Sequence, residues 1–207
     1  RKSPERIHEV LRRIAPIARR NAEAEAGELQ KLMERELPGE ELKAWDWDRY
    51  TEHLRAERYS VDTSLLKPFF ELRRVLEDGV FFAAGKLYGL RFEPRNDLTG
   101  YHPDNWVYEV FYEDGSKCGL YIFDPYARPS KSGGAWMNNL VDQSRLLGKL
   151  PIVVNNMNIP KPAAGSPALM TFDEVNTLFH EFGHTLHGLL SSVEYPRFSG
   201  TNVERDF

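Results

Sequence analysis

The sequence has little cysteine and no long apolar run. Its 207 residues include one cysteine, Cys118, so no disulfide can form within the chain. No stretch of about 18 consecutive apolar residues predicts a membrane-spanning helix. Basic and acidic residues number 27 and 31, and the basic excess of residues 1–20 is cancelled over residues 21–60. The sustained basic stripe of a nucleic-acid-binding protein is therefore missing. We predict no disulfide, no membrane partner and no nucleic-acid partner.

The composition is that of a globular protein, with 41% hydrophobic and 28% charged residues. Apolar residues at helical spacing predict four helical segments, over residues 7–18, about 21–37, 48–58 and 63–78. Pro16 is expected to kink or break the first segment near Ala15, because proline has no N–H to donate. Pro38-Gly39 is expected to end the second.

A change to β-type residues predicts a small sheet after the helices. Val107–Tyr112 and Gly119–Phe123 flank the turn signal Asp114-Gly115, which indicates a hairpin, and Pro151–Asn156 supplies a third strand. The fold class is therefore mainly α with a small, mostly antiparallel β-sheet. By position, residues 1–100 are mostly helical, residues 101–160 hold the sheet, and residues 168–190 hold one further helix.

That further helix carries the residues with the strongest chemical signal. Thr171 and Glu174 have the spacing of a capping box at its start. Inside it, His180-Glu181-Phe182-Gly183-His184 matches H-E-x-x-H. His180 and His184 lie one turn apart on the same face, so both imidazoles can reach one Zn²⁺. Glu181 lies on the flank of that face, where its carboxylate can take a proton from the attacking water.

A catalytic zinc needs a third protein ligand, and the spacing leaves its identity open. Glu204 follows His184 by twenty residues, a plausible distance for a ligand on a following helix. His187 faces the same way as His180 and is either a further ligand or a partner buried below the site, and we favour the second. His102, which precedes the hairpin, has no assigned role.

Several motifs together resemble one family. Phe179–His187, F-H-E-F-G-H-T-L-H, is similar to the thimet-oligopeptidase family of zinc metallopeptidases, and within it to the bacterial peptidyl-dipeptidases. The supporting segments are Trp45-Asp46-Trp47, Tyr101-His102-Pro103, Tyr126-Ala127-Arg128, Lys131–Met137, Lys161–Gly165, Ser199–Asn202 and Asp206-Phe207. The resemblance runs along nearly the whole chain.

The resemblance implies a partial zincin-like catalytic domain, from a mostly helical, two-lobed oligopeptidase with a deep channel for short peptides. It makes His180 and His184 the zinc ligands and Glu181 the general base, with one Zn²⁺ per site. In that family the third zinc ligand is a glutamate, and the resemblance puts it two residues beyond Phe207. That position disagrees with Glu204, and we favour the position that the family implies. On this view the chain is truncated at both ends and is inactive by itself.

The glycine stretch Gly133-Gly134-Ala135 has two interpretations. Because it lacks bulk, a peptide substrate can lie beside it as an added strand held by main-chain hydrogen bonds. Alternatively, it is a tight turn that needs the dihedral angles of glycine.

The expected function is a zinc-dependent peptidase that hydrolyses oligopeptides and releases C-terminal dipeptides. Two alternatives stay open: an endo-acting oligopeptidase of the same family, and a peptide-binding module without catalysis. The expected partners are short peptides. The single cysteine and the resemblance together predict a cytoplasmic location.

Overall fold

The computed structural model describes residues 3–59 and 63–204. The chain divides into two compact units, with the boundary between residues 62 and 63. The segment Asp206-Phe207, which supports the family resemblance, lies outside the described residues. Within the two described ranges, no helix combines the length and the apolarity needed to cross a membrane.

The first unit contains a short 3-10 helix (Ala44–Asp46) and two α-helices, α1 (Pro4–Glu36) and α2 (Trp47–Tyr59). They pack through a small buried cluster of Leu29, Leu32, Met33 and Tyr50. Helix α1 runs through Pro16 without interruption, so of the two predicted effects, a kink or a break near Ala15, the break is wrong. This part of α1 is exposed, and water can therefore pair with the carbonyl group that Pro16 leaves without a donor.

The second unit begins with a 3-10 helix (Thr63–Phe69) and a second helical run, instead of the single helix predicted over residues 63–78. The second run keeps a helical backbone through α3 (Leu72–Arg74), a π-helix (Val75–Phe81) and α4 (Phe82–Tyr88). The interruption has a local cause at Glu71, whose backbone is extended. Its carboxylate accepts hydrogen bonds from the N–H groups of Arg73 and Arg74 at 3.1 and 2.9 Å, which starts a new helix.

The sheet has five strands in the order β1-β2-β3-β5-β4. They are β1 (Arg91–Pro94), β2 (Trp106–Phe111), β3 (Lys117–Tyr126), β4 (Trp136–Val141) and β5 (Ile152–Ile159). The predicted hairpin is β2–β3 and the predicted third strand is β5. The sheet is mixed, because β3 and β5 are parallel while the other three pairs are antiparallel. The expected class, mainly helical with a small sheet, is confirmed with that correction.

The last helix, α5 (Phe172–Leu189), packs on one face of the sheet against β3, β4 and β5. Side chains of α5, the π-helix and the inner strands form the main hydrophobic core of this unit. The opposite face of the sheet carries a smaller apolar cluster of Val107, Ile122 and Val154, with Leu120 and Ile152 packed against it. The sheet therefore places α5 on one side and leaves β4 as an edge strand beside it.

Candidate active site

Helix α5 begins at the residues that the sequence predicts. The hydroxyl of Thr171 accepts a hydrogen bond from the Glu174 N–H at 3.2 Å, and the Glu174 carboxylate accepts one from the Thr171 N–H at 2.7 Å. This reciprocal capping box pairs two donors that the first turn would otherwise leave free. The register of α5 is thereby fixed from its first turn.

The rotation of α5 about its axis is set by an aromatic cluster. Phe182 is 3% exposed, and its ring centre lies 5.4 Å from that of Tyr121 and 5.9 Å from that of Phe81. Residues two positions apart on a helix point about 200° from one another. Since Phe182 faces the sheet, His180 and His184 face away from it, and both are exposed.

The two imidazoles are close enough to share one metal ion. Their ring centres are 5.0 Å apart and their planes cross at 82°. A zinc ion bonded to one nitrogen of each ring at about 2.1 Å would lie about 3.2 Å from each ring centre. Two such distances can span ring centres up to about 6.4 Å apart, and the observed 5.0 Å lies within that reach. The donor set therefore fits Zn²⁺ as two of its ligands, with half-buried Glu181 beside them.

A third ligand is not brought to this pair by the described part of the chain. Among residues 3–59 and 63–204, no group of three His, Cys, Asp or Glu side chains could hold a metal ion. Glu204 lines a cavity of about 990 Å³ together with His187 and Arg197. The position favoured by the family resemblance lies beyond Phe207, where the sequence ends.

The two other histidines singled out in the sequence have different surroundings. His187 is exposed, so the expectation that it is buried below the site is wrong. It lies seven positions after His180, about two helical turns, which brings it back to the outward face of α5. His102 is half-buried, and its Nδ1 accepts a hydrogen bond from the Asp104 N–H within the same turn at 3.2 Å.

The glycine stretch leads directly into the edge strand β4. Gly134 has a φ of +86°, a left-handed conformation that favours glycine, as the turn interpretation requires. Gly133 does not have a left-handed backbone, and a Cβ atom built there would meet open space. The geometry thus assigns a turn to Gly134 and leaves the surface beside Gly133 open at the start of β4.

Comparison with known proteins identifies the family. The sequence profile of the family described as "Peptidase family M3" matches residues 1–207. The chain belongs to this family. The thimet-type resemblance and the peptidase class inferred from the motifs are therefore confirmed at the level of the family.

Individual M3 relatives have two kinds of name. The chain is 47% identical over 206 residues to "Dipeptidyl carboxypeptidase" of Escherichia coli (strain K12), which covers 100% of this chain and 30% of that protein. It is 36% identical over 201 residues to "Oligopeptidase A" of the same strain, covering 96% of this chain and 29% of that protein. "Organellar oligopeptidase A, chloroplastic/mitochondrial" of Arabidopsis thaliana is 37% identical over 171 residues, which are 78% of this chain and 22% of that protein. The chain thus spans less than a third of the length of these relatives.

One group of residues in this M3 chain was missed by the sequence analysis. Asp124 is fully buried at the end of β3, where it contacts Arg128, Lys131 and Tyr101. The one sequence signal for this group is the position of Asp124 directly after the apolar run Gly119–Phe123. An acid beside a buried strand is itself expected to be buried, and a buried carboxylate needs charged partners.

Proposed function

We propose that this chain is part of a zinc-dependent peptidase that hydrolyses oligopeptides. In this proposal His180 and His184 hold the zinc ion, and Glu181 is the general base. The observation that carries it is the pair of imidazole rings 5.0 Å apart on the outward face of α5, with Glu181 next in sequence to His180.

The chemistry expected of Glu181 follows from its place on the helix. A bound zinc ion polarises a carbonyl group and lowers the pKa of water toward about 7. Glu181 takes one proton from the attacking water as the water oxygen bonds to the scissile carbonyl carbon. The same carboxyl group then gives that proton to the amine as the C–N bond breaks, which restores its charge.

The substrate surface in this proposal is the start of the edge strand β4. An extended peptide can add to a free strand edge through main-chain hydrogen bonds, which read no side chains. Gly133 and Ala135 have little or no side chain to obstruct it, and the backbone turns at Gly134 before the strand begins. Such recognition suits a peptidase that accepts many sequences.

For the cleavage position we propose release of C-terminal dipeptides, supported by the 47% identity to a protein named dipeptidyl carboxypeptidase. An endo-acting oligopeptidase is the second candidate, supported by the 36% identity to oligopeptidase A. Product analysis on one peptide with a free and with an amidated C-terminus separates them. We expect dipeptide release from the free form and none from the amidated form, whereas internal cleavage of both forms would favour the second candidate.

The role of Glu181 is tested in the complete protein by Glu181→Gln. We expect activity to fall at least about a hundredfold, the usual scale for a general base, with zinc content unchanged. Asp173→Asn, an exposed acid in the first turn of the same helix, is the matched control and should keep full activity. Normal turnover by Glu181→Gln with normal zinc would remove Glu181 from catalysis.

A protein that binds peptides without cleaving them is the remaining alternative. It would carry no zinc and release no product, so metal analysis of the complete protein separates it from both peptidases. A cytoplasmic location stays a prediction, favoured by the single, buried cysteine Cys118.

A further inference from the structure

The end of strand β3 contains an irregularity in its pairing with β5. The pairing of β3 with β5 shifts register between Asp124 and Tyr126, so that Asp124 faces Asn156 while Tyr126 faces Ile159. The residue at the shift is Pro125, which has no N–H to donate. Main-chain carbonyl groups near the bulge therefore need donors from outside the strand pair.

The side chain of Lys131 supplies those donors. Its ammonium group donates to the carbonyl oxygens of Tyr126 at 2.8 Å, of Asp124 at 3.3 Å, and of Met157. The side chain is 7% exposed, so water contributes little to its solvation. Lys131 thereby ties the ends of β3 and β5 to the loop that it belongs to.

The charge of Lys131 is balanced by a carboxylate that has its own further partners. The Asp124 carboxylate lies 3.3 Å from the ammonium group of Lys131 and accepts two hydrogen bonds of 2.7 Å from the Arg128 guanidinium. The Tyr101 hydroxyl donates a fourth contact at 2.8 Å. Burial opposes the charged form of Asp124, but the hydrogen bonds from Arg128 and Tyr101 still hold the pKa of this carboxyl below its ordinary value. Removal of Lys131 thus leaves Asp124 paired.

The loop that Lys131 anchors is also held from β5. The Asn158 amide donates to the carbonyl oxygens of Ser132 at 2.8 Å and Gly134 at 2.6 Å. Residues 131–134 are therefore attached at Lys131 on one side and through Asn158 on the other. Two residues after Gly134, at Trp136, the chain becomes the edge strand β4.

We propose that Lys131 is a positioning residue for substrate binding, because its ammonium group holds the loop 131–135 against the ends of β3 and β5. The edge strand β4 then presents its main chain in one fixed place to a peptide substrate. This inference rests on the proposed function, in which β4 receives the substrate. Lys131 itself does not contact the reacting atoms.

The test is Lys131→Met in the complete protein, with Lys161→Met as the control. Lys161 is also a lysine near the end of the sheet, but its side chain is 56% exposed and pairs with Asp104 at 2.7 Å. For Lys131→Met we expect KM to rise about tenfold, the effect of one charge-assisted hydrogen bond, with kcat within about twofold and zinc content unchanged. Lys161→Met should change neither constant.

Hydrogen exchange gives a readout that does not depend on activity. The amides of residues 132–137 should exchange faster in Lys131→Met, while those of α5 keep the wild-type rate. Asn158→Ala removes the exposed hydrogen bonds to Ser132 and Gly134, so it should give the same changes to a smaller extent. This variant tests the proposal if Lys131→Met does not fold.

The outcomes separate the two proposals. Faster exchange with an unchanged KM would overturn the role of Lys131 in substrate binding, and unchanged exchange would overturn its role as an anchor. A wild-type protein without zinc or peptidase activity would instead remove the proposed function, whatever the exchange experiment gives.

Discussion

The packing of α5 on the sheet can be tested through Phe182, the residue at the centre of H-E-x-x-H. Its ring is 3% exposed and lies within 5.4 to 5.9 Å of the rings of Tyr121, Phe92 and Phe81. Truncating a buried phenylalanine to alanine costs about 3–5 kcal/mol, because contacts and apolar burial are lost and a cavity remains. We expect Phe182→Ala to lower the free energy of unfolding by that amount.

The matched control is Phe179→Ala, three residues earlier on the same helix. Phe179 is 41% exposed, so its truncation should cost at most about 1 kcal/mol. Urea-induced unfolding of the complete protein, with an unchanged slope, measures both variants. Zinc affinity should fall in Phe182→Ala alone, since the buried ring turns His180 and His184 outward. Equal unfolding midpoints for the two variants would refute the conclusion that the aromatic cluster fixes the rotation of α5.

Two further predictions concern the edge strand and the isolated chain. In the complete protein, Gly133→Val should raise KM and leave the zinc content unchanged, because the new side chain occupies the surface beside β4 without backbone strain. Unchanged kinetic constants would show that Gly133-Gly134-Ala135 is only a turn. Gly134→Val is the less informative variant, since the φ of +86° strains any L-residue. The 207-residue chain by itself should show no peptidase activity, and its zinc should be lost on dialysis, because two imidazoles are one ligand short of a catalytic site. Tight binding of one zinc, abolished by Glu204→Ala, would show that Glu204 is the third ligand instead.

The parts of the fold that follow from the sequence are those with local signals. The start of α5 is given by the capping pair Thr171 and Glu174, and the β2–β3 hairpin by the turn at Asp114-Gly115. The placement of His180 and His184 on one face needs only the helical repeat. Each of these features depends on residues within a few positions of one another, and the structure contains all three.

The parts that were missed depend on distant contacts. Strand β4 has the sequence W-M-N-N-L-V, in which two asparagines hide the β-pattern, and it forms because β5 pairs with it. The parallel pairing of β3 with β5 requires the chain to reverse direction through β4, which no local pattern predicts. Lys131 donates hydrogen bonds to main-chain carbonyl groups. Every residue type has such a group, so the sequence does not show which residues are its partners. The bulge at Pro125 is visible in the sequence only as a proline.

The central claim is that His180 and His184 together hold a catalytic zinc ion. The most direct test is metal analysis of the complete protein after dialysis, for the wild type, His184→Ala and His187→Ala. We predict one zinc per chain in the wild type, its loss together with peptidase activity in His184→Ala, and its retention in His187→Ala, whose histidine lies on the same exposed face of α5. Full zinc content in His184→Ala, or an active wild type without zinc, would contradict the account.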